Sequence, residues 1–283
     1  MKLSPLSSAL VLVLAAATTP AFAQDARDTH FDGPYVAGVV GLGLQNNDRG
    51  DSLVFDTDGD GAFGDTVNTA PPGSVDAFSE GFCNGVARGA TAAEGCRSDK
   101  SKIEYGVRVG YDKRLGGGNF VLGGLIEGSK NKSTDGTSAF SITPASYSIE
   151  REIDYAVSAR LRAGFTPGGG ALFYATGGGS YARIKHTFAT TNGLNSFDER
   201  RDDKMVWGWQ VGGGGEVMIT DNVSLGLEYL YNSYKDNKYT VDVGAGTALP
   251  SNPFLQVSDG TGIRNSDRDF NFHSVRMTVG FQF

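Results

Sequence analysis

The stretch Phe270-Asn271-Phe272-His273-Ser274-Val275-Arg276-Met277-Thr278-Val279-Gly280-Phe281-Gln282-Phe283 decides the fold. Val275, Met277, Val279, Phe281 and Phe283 fall on every second position, with Ser274, Arg276, Thr278, Gly280 and Gln282 between them. A strand sends successive side chains to opposite faces, so one face here is apolar and the other small or polar. Such a strand suits a wall with lipid on one side and a polar interior on the other.

The same alternation recurs upstream. Ile103, Tyr105, Val107, Val109 and Tyr111 oppose Glu104, Arg108 and Asp112; Phe120, Leu122 and Ile126 oppose Glu127. Ile153, Tyr155, Val157, Ala159, Leu161, Ala163 and Phe165 alternate with Asp154, Ser158, Arg160 and Arg162. Met205, Trp207, Trp209, Val211 and Val217 oppose Gln210 and Glu216, and Val223, Leu225, Leu227, Tyr229 and Tyr231 oppose Ser224 and Glu228. Two glycine-rich stretches, 34–44 and 171–185, complete a set of eight strands, but their faces do not resolve. Turns at 116–118, 166–170 and 220–222 are short, whereas the other connections are long, the first running over about 46–101. This asymmetry predicts an all-β fold, an eight-stranded antiparallel up-and-down transmembrane β-barrel with long extracellular loops.

The charges fix which face is inside. In a soluble barrel with its apolar side inward, the tyrosines and tryptophans would crowd a narrow interior. With lipid outside, the interior receives Glu104, Arg108, Asp112, Glu127, Asp154, Arg160, Arg162, Glu216, Glu228 and Arg276. An eight-stranded barrel is just wide enough for side chains to fill it. Its buried charges must be paired and hydrogen-bonded. The near balance of sign therefore predicts an interlocked network, not a pore selective for one sign of ion, with the inward glycines leaving room for water.

Composition agrees with this reading. Hydrophobic content is only 39 %, with 41 glycines and 11 % aromatics, as strands that are apolar on one face require. A formal net charge of −7 argues against a nucleic-acid partner. Lys2, the apolar run Ala9–Ala17 and the small residues Ala21 and Ala23 predict a signal peptide over 1–23, leaving the barrel domain as 24–283. That apolar run is too short to span a bilayer as a helix.

With these pieces in place, the chain resembles the alphaproteobacterial eight-stranded outer-membrane β-barrel surface proteins of the opacity-protein and porin-like group. The resemblance rests on the leader, on Glu104-Tyr105-Gly106-Val107-Arg108-Val109-Gly110-Tyr111 and on Leu172-Phe173-Tyr174-Ala175-Thr176-Gly177-Gly178. Gly208–Glu216, Thr220–Tyr231 and the last strand also carry it. It implies residence in the outer membrane of a Gram-negative bacterium, among lipid and lipopolysaccharide. It also implies insertion by the barrel-assembly machinery, which would read Val275, Met277, Val279, Phe281 and Phe283 as its signal.

The loops carry the remaining chemistry. Asp56, Asp58 and Asp60, followed by Gly61, resemble the start of a calcium loop, but the twelfth position is Val67 where a bidentate glutamate is needed. Asp65 is a substitute ligand, and a plain solvated acidic turn is the competing reading. Cys83 and Cys96 are the only cysteines, and export predicts a disulfide worth roughly 3 kcal/mol in the chain-entropy account. No enzyme is expected: His273 and Ser274 are adjacent and so face opposite ways, and three histidines are few. No cofactor is called for. Recognition would live in the polar loops with their scattered Phe140, Tyr147, Phe197, Tyr239 and Phe254. The expected function is structural and surface-interactive, with a plugged interior. A narrow porin, or a surface binder of a host component or haem, is the alternative.

Overall fold

The computed structural model describes residues 30–45, 50–168 and 170–283, so the leader expected over 1–23 lies outside the described residues. Eight long strands follow one another: β1 (Gly33–Leu44), β2 (Lys102–Arg114), β3 (Phe120–Asn131), β4 (Ala145–Gly168), β5 (Ala171–Thr190), β6 (Lys204–Met218), β7 (Val223–Lys235) and β8 (Asp269–Gln282). Each pairs antiparallel with its sequence neighbours, and β8 pairs with β1. The sheet therefore closes and leaves no open edge in the wall.

The stagger sets the bore. Leu44 pairs with His273, and the register then runs through Tyr231, Val211, Gly177, Leu161, Gly124 and Tyr111 back to β1 at Pro34. One circuit slips ten residues (44 − 34) along β1. Eight strands at this stagger tilt strongly and enclose a space of side-chain width.

The outer wall is apolar. Val107, Ile126, Val157 and Leu161 are exposed on it. Tyr105, Tyr181, Trp207, Trp209 and Tyr229 ring the wall near the long-loop end, and Tyr111, Phe120, Phe165, Phe173 and Phe281 ring it near the short turns. Two aromatic girdles bounding an aliphatic band are what a bilayer with two interfaces selects. The faces of β1 and β5 now resolve: Tyr35, Ala37 and Val39, with Leu172, Tyr174, Thr176 and Ser180, point inward.

The fourth strand departs from its expected pattern. Arg183 pairs with Tyr155 but Ile184 pairs with Ile153, leaving Asp154 as an unpaired extra residue. This bulge shifts the alternation by one, so Ile153 turns inward to 1 % exposure instead of facing lipid. Asp154 leaves the interior and lies 3.6 Å from Lys130, both side chains partly exposed.

The long connections are not the irregular polar loops expected. Ser196–Arg200, Thr240–Gly244, Thr261–Asn265 and Leu53–Asp56 form a second, four-stranded sheet drawn from three connections. The remaining long connection contributes Thr134–Ser141, which extends the hairpin of β4 and carries Phe82–Asn84 on its far edge. Leu53, Phe55, Phe78, Tyr147, Val241, Phe254 and Ile263 bury one another beneath these strands. The long-loop end is thus closed by a cap with its own hydrophobic core.

Candidate functional site

The interior is built by strand parity. Along the inward positions of β2, β3, β4, β7 and β8, the alternation delivers Arg108, Glu127, Arg160, Glu228 and Arg276 to one level. Glu228 receives both terminal nitrogens of Arg108 at 2.9 and 3.2 Å, Arg160 at 3.2 Å, the Tyr174 hydroxyl at 2.8 Å, and a close contact from Arg276. Glu127 receives Arg160 at 2.7 Å and Arg276 at 2.6 Å, with Arg108 Nε 3.0 Å away. Arg276 also donates to Glu104 at 3.0 Å. Three guanidinium groups thus share three carboxylates, and planar donor forks make such sharing possible.

A second group lies nearer the short turns. Arg162 is gripped by Asp112 and donates to Glu216 at 2.8 Å, with its guanidinium over the rings of Tyr35 and Tyr174 at 4.6 and 5.0 Å. Arg114 donates to Thr166 at 2.9 Å, and Phe31, Val121 and Leu172 fill the end of the bore. Glycines make space for these groups. A Cβ on Gly123 would sit 1.9 Å from Asp112 Oδ1, and one on Gly226 would meet Glu216 and Thr278. At these two positions the space is occupied by side chains.

Above the ion pairs runs a neutral polar layer. Gln210 donates to Asn232 at 2.8 Å, Asn232 donates to Ser274 at 3.1 Å, and Ser180 shares a 2.8 Å hydrogen bond with Tyr234. Ile153, Ile184, Phe270 and Phe272 then form an apolar plate. Nine of the ten predicted interior charges therefore line the bore, and Asp154 is the exception. Tyr35, Arg114, Tyr174, Gln210 and Asn232 join them without having been singled out. Parity in β6 and β7 already puts Gln210 and Asn232 on the inward face, where as uncharged residues they were not counted with the network, but the glycines of β1 and β5 hid both tyrosines.

Between plate and cap sits a junction that sequence reasoning missed. Arg151, fully buried, bonds Asp135 at 2.6 Å and Asp267 at 3.2 Å and lies 3.5 Å from Asp236. His186 Nε2 is 2.8 Å from Asp236, and its ring stacks on Tyr239 at 3.9 Å. Burial pushes the Asp236 carboxyl up, but the hydrogen bond and charge of His186 and the charge of Arg151 reverse this and hold it below the ordinary carboxylate value. Asp99 behaves oppositely: burial, then the negative charge of Asp135, push it up to about 7 against the Gly136 amide.

These shifts predict a pH optimum for the cap. A depressed carboxylate stabilises the fold above its unfolded pKa and loses that effect as pH falls through the folded value. A raised one stabilises below its unfolded pKa and loses that effect as pH climbs to the folded value, about 7 for Asp99. Protease resistance of the cap is therefore expected to peak near the ordinary aspartate value, about pH 4, and to weaken toward neutrality. Asp99→Asn should flatten the neutral side of the profile; an unchanged slope would remove Asp99 as its cause.

The other predicted sites fall in the cap. Asp56, Asp58 and Asp60 bring one carboxylate oxygen each within 4.8 Å of one another. Asp56 meanwhile accepts the amides of Gly59 and Gly61, and Asp65 turns away to Thr57, accepting its amide at 2.8 Å and its hydroxyl at 3.0 Å. Asp65 is thus not brought to the cluster as a fourth ligand. Cys83 and Cys96 are joined as a disulfide with Cα atoms 6.3 Å apart. The loop aromatics expected to serve recognition are instead structural: Phe140, Tyr147, Tyr239 and Phe254 are buried, and Phe197 packs against the cap core. His273 faces outward and shares a 2.6 Å hydrogen bond with the Tyr229 hydroxyl, while Ser274 is buried inside, so the two form no nucleophile–base pair.

The 31 kDa outer-membrane immunogenic protein of Brucella melitensis is 28 % identical over 179 residues, covering 63 % of this chain, and that of Brucella suis matches equally. The chain spans 65 % of the length of these relatives. Among solved structures, OprG of Pseudomonas aeruginosa superposes with a TM-score of 0.49 at 12 % identity, covering 90 % of this chain and 98 % of that one. Neisserial surface protein A gives 0.35 at 12 % identity, covering 89 % of this chain and all of that one (100 %). A family profile described as the outer membrane protein beta-barrel domain matches residues 9–283. The chain therefore belongs to the outer membrane protein beta-barrel domain family and resides in the outer membrane of a Gram-negative bacterium.

Proposed function

We propose that this barrel is a closed, non-enzymatic surface protein whose interior is plugged by the arginine–carboxylate lattice. Its cap is a rigid contact surface presented outside the cell, and the whole contributes to envelope integrity. The observation that carries this reading is the shared set of Arg108, Arg160 and Arg276 with Glu104, Glu127 and Glu228, backed on both sides by buried apolar layers. An ion entering the bore would have to part charges that already satisfy one another, and breaking buried pairs costs about 3–5 kcal/mol each. Lipid and lipopolysaccharide are the partners of the outer wall, the assembly machinery is the partner of β8, and a host surface or small ligand is the partner of the cap. Purified protein in planar bilayers is expected to give no stable conductance. Reproducible, voltage-independent single channels would overturn the plug and favour a narrow porin.

A further inference from the structure

Two arginines of the cap lie side by side near the plate without a carboxylate of their own. Arg264 and Arg268, on the last connection, line a small recess with His186, Asp236, Asn237, Tyr239 and Asn265. Neither arginine is ion-paired among the described residues, in contrast to Arg151 close by, which has three carboxylates around it. The Arg264 guanidinium lies over the Phe63 ring at 4.0 Å, which fixes its plane. Its Nε–H is buried with no acceptor, and Asn265 Oδ1 is likewise buried without a hydrogen-bond partner; His186 Nδ1 also lacks a hydrogen bond, with Asp202 Oδ1 3.5 Å from it. Three unsatisfied polar atoms around one recess are unusual, because each such group costs about 1–3 kcal/mol and more when charged. The amide of Asn265 can be turned to present its NH₂ instead of its oxygen.

We propose that this recess is a binding site for a phosphate group. Arg264 and Arg268 would supply charge and donors, and the Asn265 amide would supply a further donor. The recess measures about 10 Å³, room for a single water-sized atom. One phosphate oxygen enters, and the others remain at the surface, where exposed Arg268 meets them. A planar guanidinium matches two phosphate oxygens at once, so two of them define an anion site better than two lysines would. The nearest carboxylates do not compete: Asp236 is held by His186 and Arg151, and Asp56 accepts the amides of Gly59 and Gly61. Burial and the like charge of Arg268 depress the Arg264 pKa, in the sense that a bound anion would relieve.

The site is independent of whether the bore conducts, so its test is separate from the bilayer measurement. Refolded full-length barrel is titrated calorimetrically with inorganic phosphate against sodium chloride of matched ionic strength. Saturable heat with phosphate alone is expected, weakened at least tenfold in Arg268→Gln. That side chain is exposed, so folding should survive, as an unchanged heat-modifiable band will show; Arg264→Gln is the stronger but riskier variant. Heat no different from chloride, or unaltered binding in Arg268→Gln, would overturn the proposal. Glucosamine phosphate binding more tightly than inorganic phosphate assigns the site to phosphorylated saccharide headgroups. Equal affinity assigns it to the free ion.

Discussion

Glu228→Ala is expected to lower barrel stability by about 3–5 kcal/mol, the range for removing one partner from a buried ion pair. Glu228 is the hub of the lattice: Arg108, Arg160, Arg276 and Tyr174 all converge on it. Removing it leaves Glu127 and Glu104 to neutralise three buried guanidinium groups. Burial holds those arginines where water cannot replace the lost acceptor, and arginine does not escape by deprotonating. Glu104→Ala should be milder, because Glu104 contacts Arg276 alone, and Arg276 keeps Glu127. Guanidinium unfolding of the refolded barrel in micelles, followed by tryptophan fluorescence and heat-modifiability, measures both. A loss under about 1 kcal/mol for Glu228→Ala, within the range of exposed pairs, would mean that water penetrates the bore.

The barrel was readable because a lipid-facing wall enforces a strict period of two, and because an interior of side-chain width admits few solutions for ten charges. Asp154 shows the limit of that rule. One bulged residue inverts parity, and nothing in Glu152-Ile153-Asp154-Tyr155 announces it, since apolar and charged residues alternate straight through the bulge. The cap was hidden for a different reason. Its strands are five residues long or less in the four-stranded sheet, and they come from connections far apart in sequence. Tyr239, Val241 and Val243 do alternate with Thr240 and Asp242, but such runs are too short to stand out in a polar connection, and the strands meet only in three dimensions. Arg151 illustrates both failures: it lies beyond the strand predicted from the alternation, yet four carboxylates of the long connections and β7 boundary gather near it.

Phe78→Ala should separate the cap from the barrel. Phe78 comes from the first long connection and stacks on Phe55 at 4.4 Å, with Tyr147 and Phe254 at 5.4 and 5.8 Å. These partners belong to β4 and to the first and last long connections, so one ring ties three parts of the chain together. Truncating a buried phenylalanine to alanine typically costs about 3–5 kcal/mol. β4 reaches that core through Ala145, Tyr147 and Ile149 at its far end, but the wall below is held by backbone pairing right round the circuit and by the lattice at Glu228. The expected result is rapid proteolysis within 50–101 and 237–268 while the barrel still migrates as a heat-modifiable band. The Cys83–Cys96 disulfide should hold part of the first connection together until it is reduced, so cleavage there should release a fragment only with reductant. Loss of the barrel together with the cap would show that the two fold as one cooperative unit. Full protease resistance would show that the aromatic cluster contributes little to closing the mouth.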